Sequence, residues 1–525
     1  VADTEIQTDE ELEVTVEANS GNRDVEFQLV DSSGDDFGNA VPRTLNGSGG
    51  FTYAYGTSTF SDEDTGNYTV EVTDLNSDVT VESSSVQVSE AGEGTADFGQ
   101  STYTDQRGDI VNITVEMEET STSTVKIGSD GDGFRTNVTV EDNNGDEEVL
   151  LQFNTWAARG ANNGTVSGDG GPVFNAYNAD DVDSDDEDVV LSADIDPNNE
   201  VTDLLDDGDY EMEVRSDISY GASSQNAGTL ILEERSTDEI VSWTAPSGEA
   251  PADLDELRED IADENVTQSS DVANGDVVVH QLVATGLEGA LETASGSNTT
   301  AKFFARDGGA YNLTVNQSNP GANRNAYGLV INETNSQVIS DAHNDTYYVI
   351  FDLDDPVAVN RNDMNYFYDS SQTTDTIEDD DVLQANFTVY ENDGNLADSD
   401  QTVITDYEAV NGEVSTDADP VNVTNAEGQQ ISGTATVAPG TELTVRVDSD
   451  DGVRPSFLKT TDVYVQGDGS WSATFDFSEQ NVGDSFTIES TGGDGVIVSD
   501  DQLDVDGNVV ESTGMTTTEP ADTTT

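Results

Sequence analysis

The residues best equipped for chemistry in this sequence are oxygen donors in turns. Asp130 and Asp132 lie in a Gly-rich stretch, and Asp181, Asp183, Asp185 and Asp186 form an acidic run. Asp352, Asp354 and Asp355 precede Pro356, and Asp448, Asp450 and Asp451 precede Gly452. Hard divalent cations take about six to eight oxygens from carboxylates and carbonyls, which loops supply readily. Ca2+, with Mg2+ as second choice, is the ion such clusters would hold in a structural role. None follows the EF-hand spacing or a nonapeptide calcium repeat. Composition alone also produces acidic clusters in so acidic a chain, so the alternative for each is a hydrated surface.

A second set of reactive groups is amide nitrogens. Thirteen Asn-x-Ser/Thr sequons occur, at Asn46, Asn67, Asn112, Asn137, Asn163, Asn265, Asn298, Asn312, Asn316, Asn332, Asn344, Asn386 and Asn422. In a secreted chain these are acceptors for N-linked glycans. Asn112 and Asn386 fall on the polar face of alternating strands, from which a glycan could project outward. The alternative is an unmodified polar residue on a Thr-rich strand.

Catalytic signatures are missing. His280 and His343 are the two histidines, neither within an H-E-x-x-H arrangement, and there is no G-x-S-x-G elbow or phosphate loop ending in Gly-Lys-Ser/Thr. His280 ends the apolar run Val277–Val279 and reads as a structural strand residue. A carboxylate pair for glycoside hydrolysis forms in space rather than in sequence, but nothing in the strand pattern suggests a cleft. Trp156, Trp243 and Trp471 read as core or inter-domain packing. The expectation is that the chain is not an enzyme.

The elements that carry these residues are strands. Leu12, Val14 and Val16 alternate with polar residues, as do Val111, Ile113, Val115 and Met117, and Leu443, Val445 and Val447. Such alternation marks half-buried strands with one face on a core. The pattern Asp-x-Gly-x-Tyr recurs at Asp64-Gly66-Tyr68, Asp206-Gly208-Tyr210 and Asp307-Gly309-Tyr311, each time opening another alternating run. In immunoglobulin-like sandwiches a Tyr at this place bonds back to the preceding turn, the tyrosine corner. One helix is expected, around Ala252–Ala262, where Leu254, Leu257 and Ile261 share a face. The fold class is therefore all-β: tandem immunoglobulin-like sandwiches in an elongated array, with one short helix in the third domain.

Charge sets the environment. The 525 residues include 110 Asp or Glu and 16 Lys or Arg, a net charge of −94. Self-repulsion on that scale opposes compaction in dilute buffer, but at about 1 M salt the Debye length is roughly 3 Å and most of it vanishes. Only Lys126, Lys302 and Lys459 are lysines. Short Asp side chains hold water, whereas Lys stems expose apolar surface that brine drives together. The chain reads as halophilic; intrinsic disorder, the alternative for such a charge, conflicts with the strand pattern. Nucleic acid is an implausible partner for this surface. No Cys is present, and no run of about 18 apolar residues offers a membrane span.

Composition shifts divide the chain into sandwiches at 1–93, 94–236 with an acidic loop, 237–416 with the helix, and 417–511. Residues 512–525 form a Thr-rich linker, read as leading towards a membrane anchor outside this sequence. With no signal peptide at Val1, the sequence reads as a segment of something longer.

Taken together, the chain resembles the haloarchaeal S-layer, or cell surface, glycoproteins, and in particular their membrane-proximal part. The resemblance rests on RGDIVNITVE at 107–116, VLLQFNTWAARG at 149–160, DGDYEMEV at 207–214, TYYVIFDLDD at 346–355, FLKTTDVYVQGDGSWSATFDFS at 457–478 and the exit TTTEPADTTT. It implies immunoglobulin-like domains, N- and O-linked glycans, an extracellular place at the cell surface, and divalent-cation-dependent self-association into a two-dimensional lattice that maintains envelope integrity and shape. The alternative from another class is a secreted or surface-anchored adhesin or carbohydrate-binding protein built from the same domains; a surface hydrolase is third.

Overall fold

The computed structural model describes residues 1–2, 4–8, 11–61, 64–89, 94–159, 173–177, 188–195, 204–216, 223–360, 374–391, 396–493, 495–497 and 502–511. They form four successive β-sandwiches with separate cores.

In the first sandwich, strands Glu5–Gln7, Val86–Ser89, Gly66–Asp74, Asp24–Asp31 and Asp36–Thr44 lie in that order, with Val79–Glu82 also paired to Gly66–Asp74. The pair Leu12–Glu17 and Gly50–Tyr55 covers this sheet. Leu12 and Val14 point inward and Glu11 and Glu13 outward, as the alternation requires.

The second sandwich packs a six-stranded sheet against a four-stranded one. The order of the first is Thr102–Gln106, Asn226–Glu233, Gly208–Arg215, Thr122–Ser129, Phe134–Glu141, Val189–Ile195. The other runs Phe174–Tyr177, Glu148–Asn154, Ile110–Glu118, Thr95–Phe98. Its core includes the stacked rings Phe134, Phe153 and Phe174.

The third sandwich has a five-stranded sheet centred on Val277–Ala284 and a six-stranded sheet centred on Asp381–Val389 and Tyr311–Gln317. Helix Leu254–Ala262 lies outside the five-stranded sheet, where Leu257 packs among Val277, Val279, Tyr348 and Ile350. Asp253 caps it, accepting from the N–H groups of Asp255 and Glu256 at 3.0 Å each. Two helices were not expected from the sequence, Glu288–Glu292 and Thr299–Arg306. Both are too short to show periodicity, and the second is fixed by its Asn298 cap and by burial of Phe303.

The fourth sandwich sets Val414–Thr416, Gln429–Ala435 and Ser470–Phe475 against a five-stranded sheet containing Glu442–Ser449 and Asp504–Val510. Strand Val414–Thr416 belongs to this unit through its pairing with Gly433–Ala435, so the fourth sandwich begins slightly before residue 417.

One feature recurs in all four units. A short strand near the start of each lies parallel to a strand near its end: Glu5–Gln7 with Val86–Ser89, Thr102–Gln106 with Asn226–Glu233, Asp271–Ala273 with Gln401–Val410, and Val421–Thr424 with Asp504–Val510. Each pair joins segments far apart within its domain, although in the third unit the early strand follows Thr237–Ala245 and the helix.

The tyrosine corners form in two of the three expected places. The Tyr68 hydroxyl donates to Asp64 O at 2.9 Å and the Tyr210 hydroxyl to Asp206 O at 2.7 Å. Tyr311 departs from the pattern: its hydroxyl donates to Phe303 O at 2.7 Å, because helix Thr299–Arg306 occupies the space of the turn. A neutral hydrogen bond of this kind contributes about 1 kcal/mol. Tyr210→Phe should therefore lower unfolding free energy by about that amount without changing the far-UV spectrum, as guanidinium titration in molar salt would measure.

Candidate functional site

The acidic clusters meet different fates. Asp130 and Asp132 sit at the tip of the hairpin joining Thr122–Ser129 to Phe134–Glu141, where Arg135 pairs with Asp130 at 2.9 Å. Asp448 pairs with Arg446 at 2.6 Å, and Asp450 accepts from the Thr487 hydroxyl at 3.2 Å. Asp352 is half-buried at the end of Thr346–Asp352, while Asp354 and Asp355 are exposed beyond it. Burial raises the Asp352 pKa, and the two neighbouring charges raise it further. Asp181, Asp183 and Asp185 lie outside the described residues. Among the described residues, no group of three or more His, Cys, Asp or Glu side chains is placed to hold a metal ion.

The sequons also separate. Asn46, Asn67, Asn112, Asn298, Asn344 and Asn422 are exposed, and Asn137, Asn265, Asn312, Asn316, Asn332 and Asn386 are partly covered. Asn163 lies outside the described residues. In three cases the third-position hydroxyl donates to the Asn side-chain oxygen: Ser48 to Asn46 at 2.7 Å, Thr334 to Asn332 at 2.6 Å and Thr388 to Asn386 at 2.9 Å. The acceptor nitrogen itself is engaged at Asn344, donating to Asp341 at 2.8 Å, and at Asn312, donating to Asp307 at 3.2 Å. Asn137 accepts from Arg215, and Asn265 lines a cleft of about 540 Å3 between the third and fourth sandwiches.

The densest polar chemistry lies between domains. Arg107, 5% exposed, makes a two-pronged contact with Asp398 of the third sandwich at 3.0 and 3.1 Å. Asp109, 3% exposed, accepts across the same joint from Gly286 N at 2.6 Å and Glu288 N at 3.0 Å. Glu288 answers by accepting from Ile110 N at 3.3 Å, and Asn154 donates to Gly289 O at 3.0 Å. The backbones meet directly, Gly289 N donating to Gly108 O at 3.0 Å. A Cβ on Gly289 would lie 2.5 Å from that oxygen, so no other residue fits. Trp156 packs with the third core, its ring under Arg159 at 4.1 Å and Arg306 at 4.6 Å.

The third-to-fourth joint repeats one part of this design. Asp276, 1% exposed, accepts from Ala438 N at 2.7 Å, and Ala273 packs with the fourth core. Asp109 and Asp276 occupy matching places: each follows a glycine of positive φ, Gly108 at 107° and Gly275 at 100°, and each immediately precedes a central strand. Sequence reasoning missed both residues, although the repeat was available in Gly108-Asp109-Ile110-Val111 and Gly275-Asp276-Val277-Val278. The fourth unit has Gly440-Thr441 there, and the buried Thr441 hydroxyl bonds within its own domain, to Ala438 O at 2.7 Å.

Burial pushes these carboxyl groups upward, Asp109 to about 8, Glu288 to about 7 and Asp276 to about 7. It pushes His280 down to about 3; that side chain is fully buried against Ser242, Phe351 and Tyr407. His280 is thus a neutral core residue, as its strand position suggested. Trp471 is buried in the fourth core, and Trp243 donates to Gln281 at 3.0 Å.

The class defined so far is an array of immunoglobulin-like β-sandwiches coupled by built joints. Over its whole length the chain is 43% identical to the cell surface glycoprotein of Haloferax gibbonsii, covering 56% of that protein. Cell surface glycoprotein 1 of Haloarcula hispanica is 33% identical over 95% of the chain, which covers 54% of it. The chain is a homologue of the haloarchaeal cell surface glycoproteins, a protein of the cell surface, and spans about half the length of the curated relatives it matches. Residues 88–217 match a family described as a domain of unknown function, DUF7827. Among solved structures, immunoglobulin domains 1–5 of Sidekick-1 align at 9% identity, over 97% of this chain and 96% of theirs, with a TM-score of 0.21. Domains 4–9 of a surface layer protein align at 11% identity, over 94% and 59%, with a TM-score of 0.18. Neither superposes as a whole, and the fold rests on the sheets themselves.

The pH dependence of the second-to-third joint follows from Asp109. Its folded pKa is raised above the unfolded value of about 4, so its contribution is fully present below that pH. It declines as pH rises and levels off once the folded pKa of about 8 is passed. Asp105, Glu288 and Asp345 also raise or share this negative field, and Arg235 opposes it. Thermal unfolding in molar salt should lose stability between about pH 5 and about pH 8, with a shallower slope in Asp109→Asn. Equal slopes would assign the dependence to other groups.

Proposed function

We propose that the chain is a structural segment of an S-layer: a glycosylated, non-catalytic part of the coat, on the membrane-proximal side, that assembles into a two-dimensional lattice. The observation that carries this reading is the pair of built joints in a chain homologous along its length to cell surface glycoproteins. Joints of buried charge and backbone contact hold successive sandwiches in fixed relation, which suits a load-resisting coat and not a flexible tether. Among the described residues no helix is long and apolar enough to cross a membrane.

Assembly must overcome like charge. Acidic faces of two copies can approach only when neutralised, and Ca2+ or Mg2+ held between carboxylates would turn repulsion into a bridge while bulk salt screens the rest. Exposed carboxylates such as Asp354, Asp355 and Asp451 suit that role better than Asp130 or Asp448, which arginines already engage. Electron microscopy of the purified chain at about 2 M salt checks this reading. Ordered sheets or rings with millimolar Ca2+ that disperse on chelation are expected; isolated particles in both conditions would count against a lattice-forming role for this segment.

The glycans follow the exposure of their acceptors. Glycopeptide mass spectrometry of the native protein should find Asn46, Asn67, Asn112 and Asn298 more fully occupied than Asn137 and Asn312, whose amides are half-covered and bonded to neighbours. The reverse order would show that modification precedes folding of these strands.

A further inference from the structure

Between helix Thr299–Arg306 and the loop that follows strand Tyr327–Val330 lies a groove of about 470 Å3. One wall is the helix face carrying Ala301, Phe304 and Ala305, which their spacing brings together. The other wall is Ile331 with Asn332 and Glu333. Phe304 and Ile331 pack on the third core from outside and stay partly uncovered. The volume falls within the range of about 300–1,000 Å3 typical of small-molecule pockets.

Asn332, in the groove's wall, is a sequon acceptor held in a fixed pose. Its Oδ1 accepts from Thr334 N at 2.9 Å and from the Thr334 hydroxyl at 2.6 Å, and its N–H donates to Asn335 Oδ1 at 2.8 Å. Among the described residues, Nδ2 of Asn332 has no hydrogen-bond partner. Other covered acceptors differ. Asn344 and Asn312 donate to carboxylates, and Asn265, which also lines a cleft, is bonded to Asp260.

The walls suit a sugar. Phe304 and Ile331 offer an apolar surface, which concentrated salt makes costly to leave open, and the carboxylates of Asp307 and Glu333 lie beside it. The C–H face of a pyranose packs on the negative face of an aromatic ring, while its hydroxyls donate to acceptors around it. A free sugar would bind weakly, because association costs translational freedom. A sugar attached within the groove is already there, at an effective concentration of about a millimolar or more.

We propose that this groove seats the proximal sugar of an N-glycan on Asn332, packed between Phe304 and Ile331, so that the glycan becomes part of the third sandwich's packing. The inference rests on the glycosylated reading above. Asn298 caps the same helix and carries the rival glycan, but it does not line the groove.

The experiment compares the full chain, Asn332→Gln, Phe304→Leu and the double variant, each made in a halophilic host that attaches N-glycans, by thermal unfolding at about 2 M NaCl. Glycopeptide mass spectrometry should find Asn332 occupied. Asn332→Gln should lower the melting temperature by about 2–4 °C more in the wild-type background than in Phe304→Leu. Loss of the Thr334 bonds is common to both backgrounds and cancels. The same four proteins made without glycans should show no such difference. Additive effects in the glycosylated set would overturn the proposal. So would a difference that persists without glycans, or one that Asn298→Gln produces in place of Asn332→Gln. An empty Asn332 beside occupied Asn46 and Asn112 would overturn it and leave the glycosylated reading intact; empty acceptors throughout would remove that reading with it. Should Phe304→Leu fail to fold by circular dichroism, Ile331→Thr takes its place from the opposite wall.

Discussion

With 110 acidic side chains and 16 basic ones, this chain has a scarce resource in positive charge, and where that charge goes governs the structure. Four arginines, Arg107, Arg159, Arg235 and Arg306, gather at the second-to-third joint. Arg107 and Arg235 are almost completely buried there, the latter held by Thr285 O at 3.0 Å and Ser236 O at 2.9 Å. Exposed pairs such as Arg324 with Glu378 contribute little in brine, because screening removes most of their attraction. At the joint the Arg107 guanidinium is buried while its carboxylate partner Asp398 stays 71% exposed, and Arg235 is held by uncharged oxygens of Thr285, Ser236 and Gln401 that salt does not screen.

The same constraint explains how the joints are made. Sandwiches covered in carboxylates repel except where salt screens them, and apolar contact at their ends favours the joint independently of charge. Trp156 and Ala273 supply that contact by packing with the core of the neighbouring unit. Backbone N–H groups then do the work that scarce lysines and arginines cannot. Asp109 and Asp276 each accept them from the next domain, which satisfies a buried carboxylate with donors that every residue carries. At Asp276 a backbone N–H from its own domain, that of Ser247, adds to the one from Ala438.

The strands were legible because their side chains alternate about a core that each domain supplies for itself. Leu12 and Val14, Val111 to Met117, and Leu443 to Val447 all turned their apolar residues inward as the pattern required. The corners at Tyr68 and Tyr210 were readable from the glycine that precedes each by two, since φ values of 152° at Gly66 and 144° at Gly208 exclude other residues. Tyr311 was misread in its details because the inserted helix that takes its hydroxyl lies outside the motif. The acidic clusters were the poorest guide. Asp130 and Asp448 are spoken for by arginines, whereas Asp109 and Asp276, in no acidic run, hold the joints.

By itself the sequence determined the environment, the strand-rich class and the resemblance to cell surface glycoproteins, because charge balance, period-two alternation and local motifs are properties of neighbouring residues. Tertiary structure alone decided what closes each unit and what links it to the next. The parallel pairing of Thr102–Gln106 with Asn226–Glu233 spans a whole domain, and Arg107 meets Asp398 from nearly three hundred positions away. No local pattern encodes such contacts. They exist only once two sandwiches have brought their facing ends together and buried the Arg107 guanidinium between them.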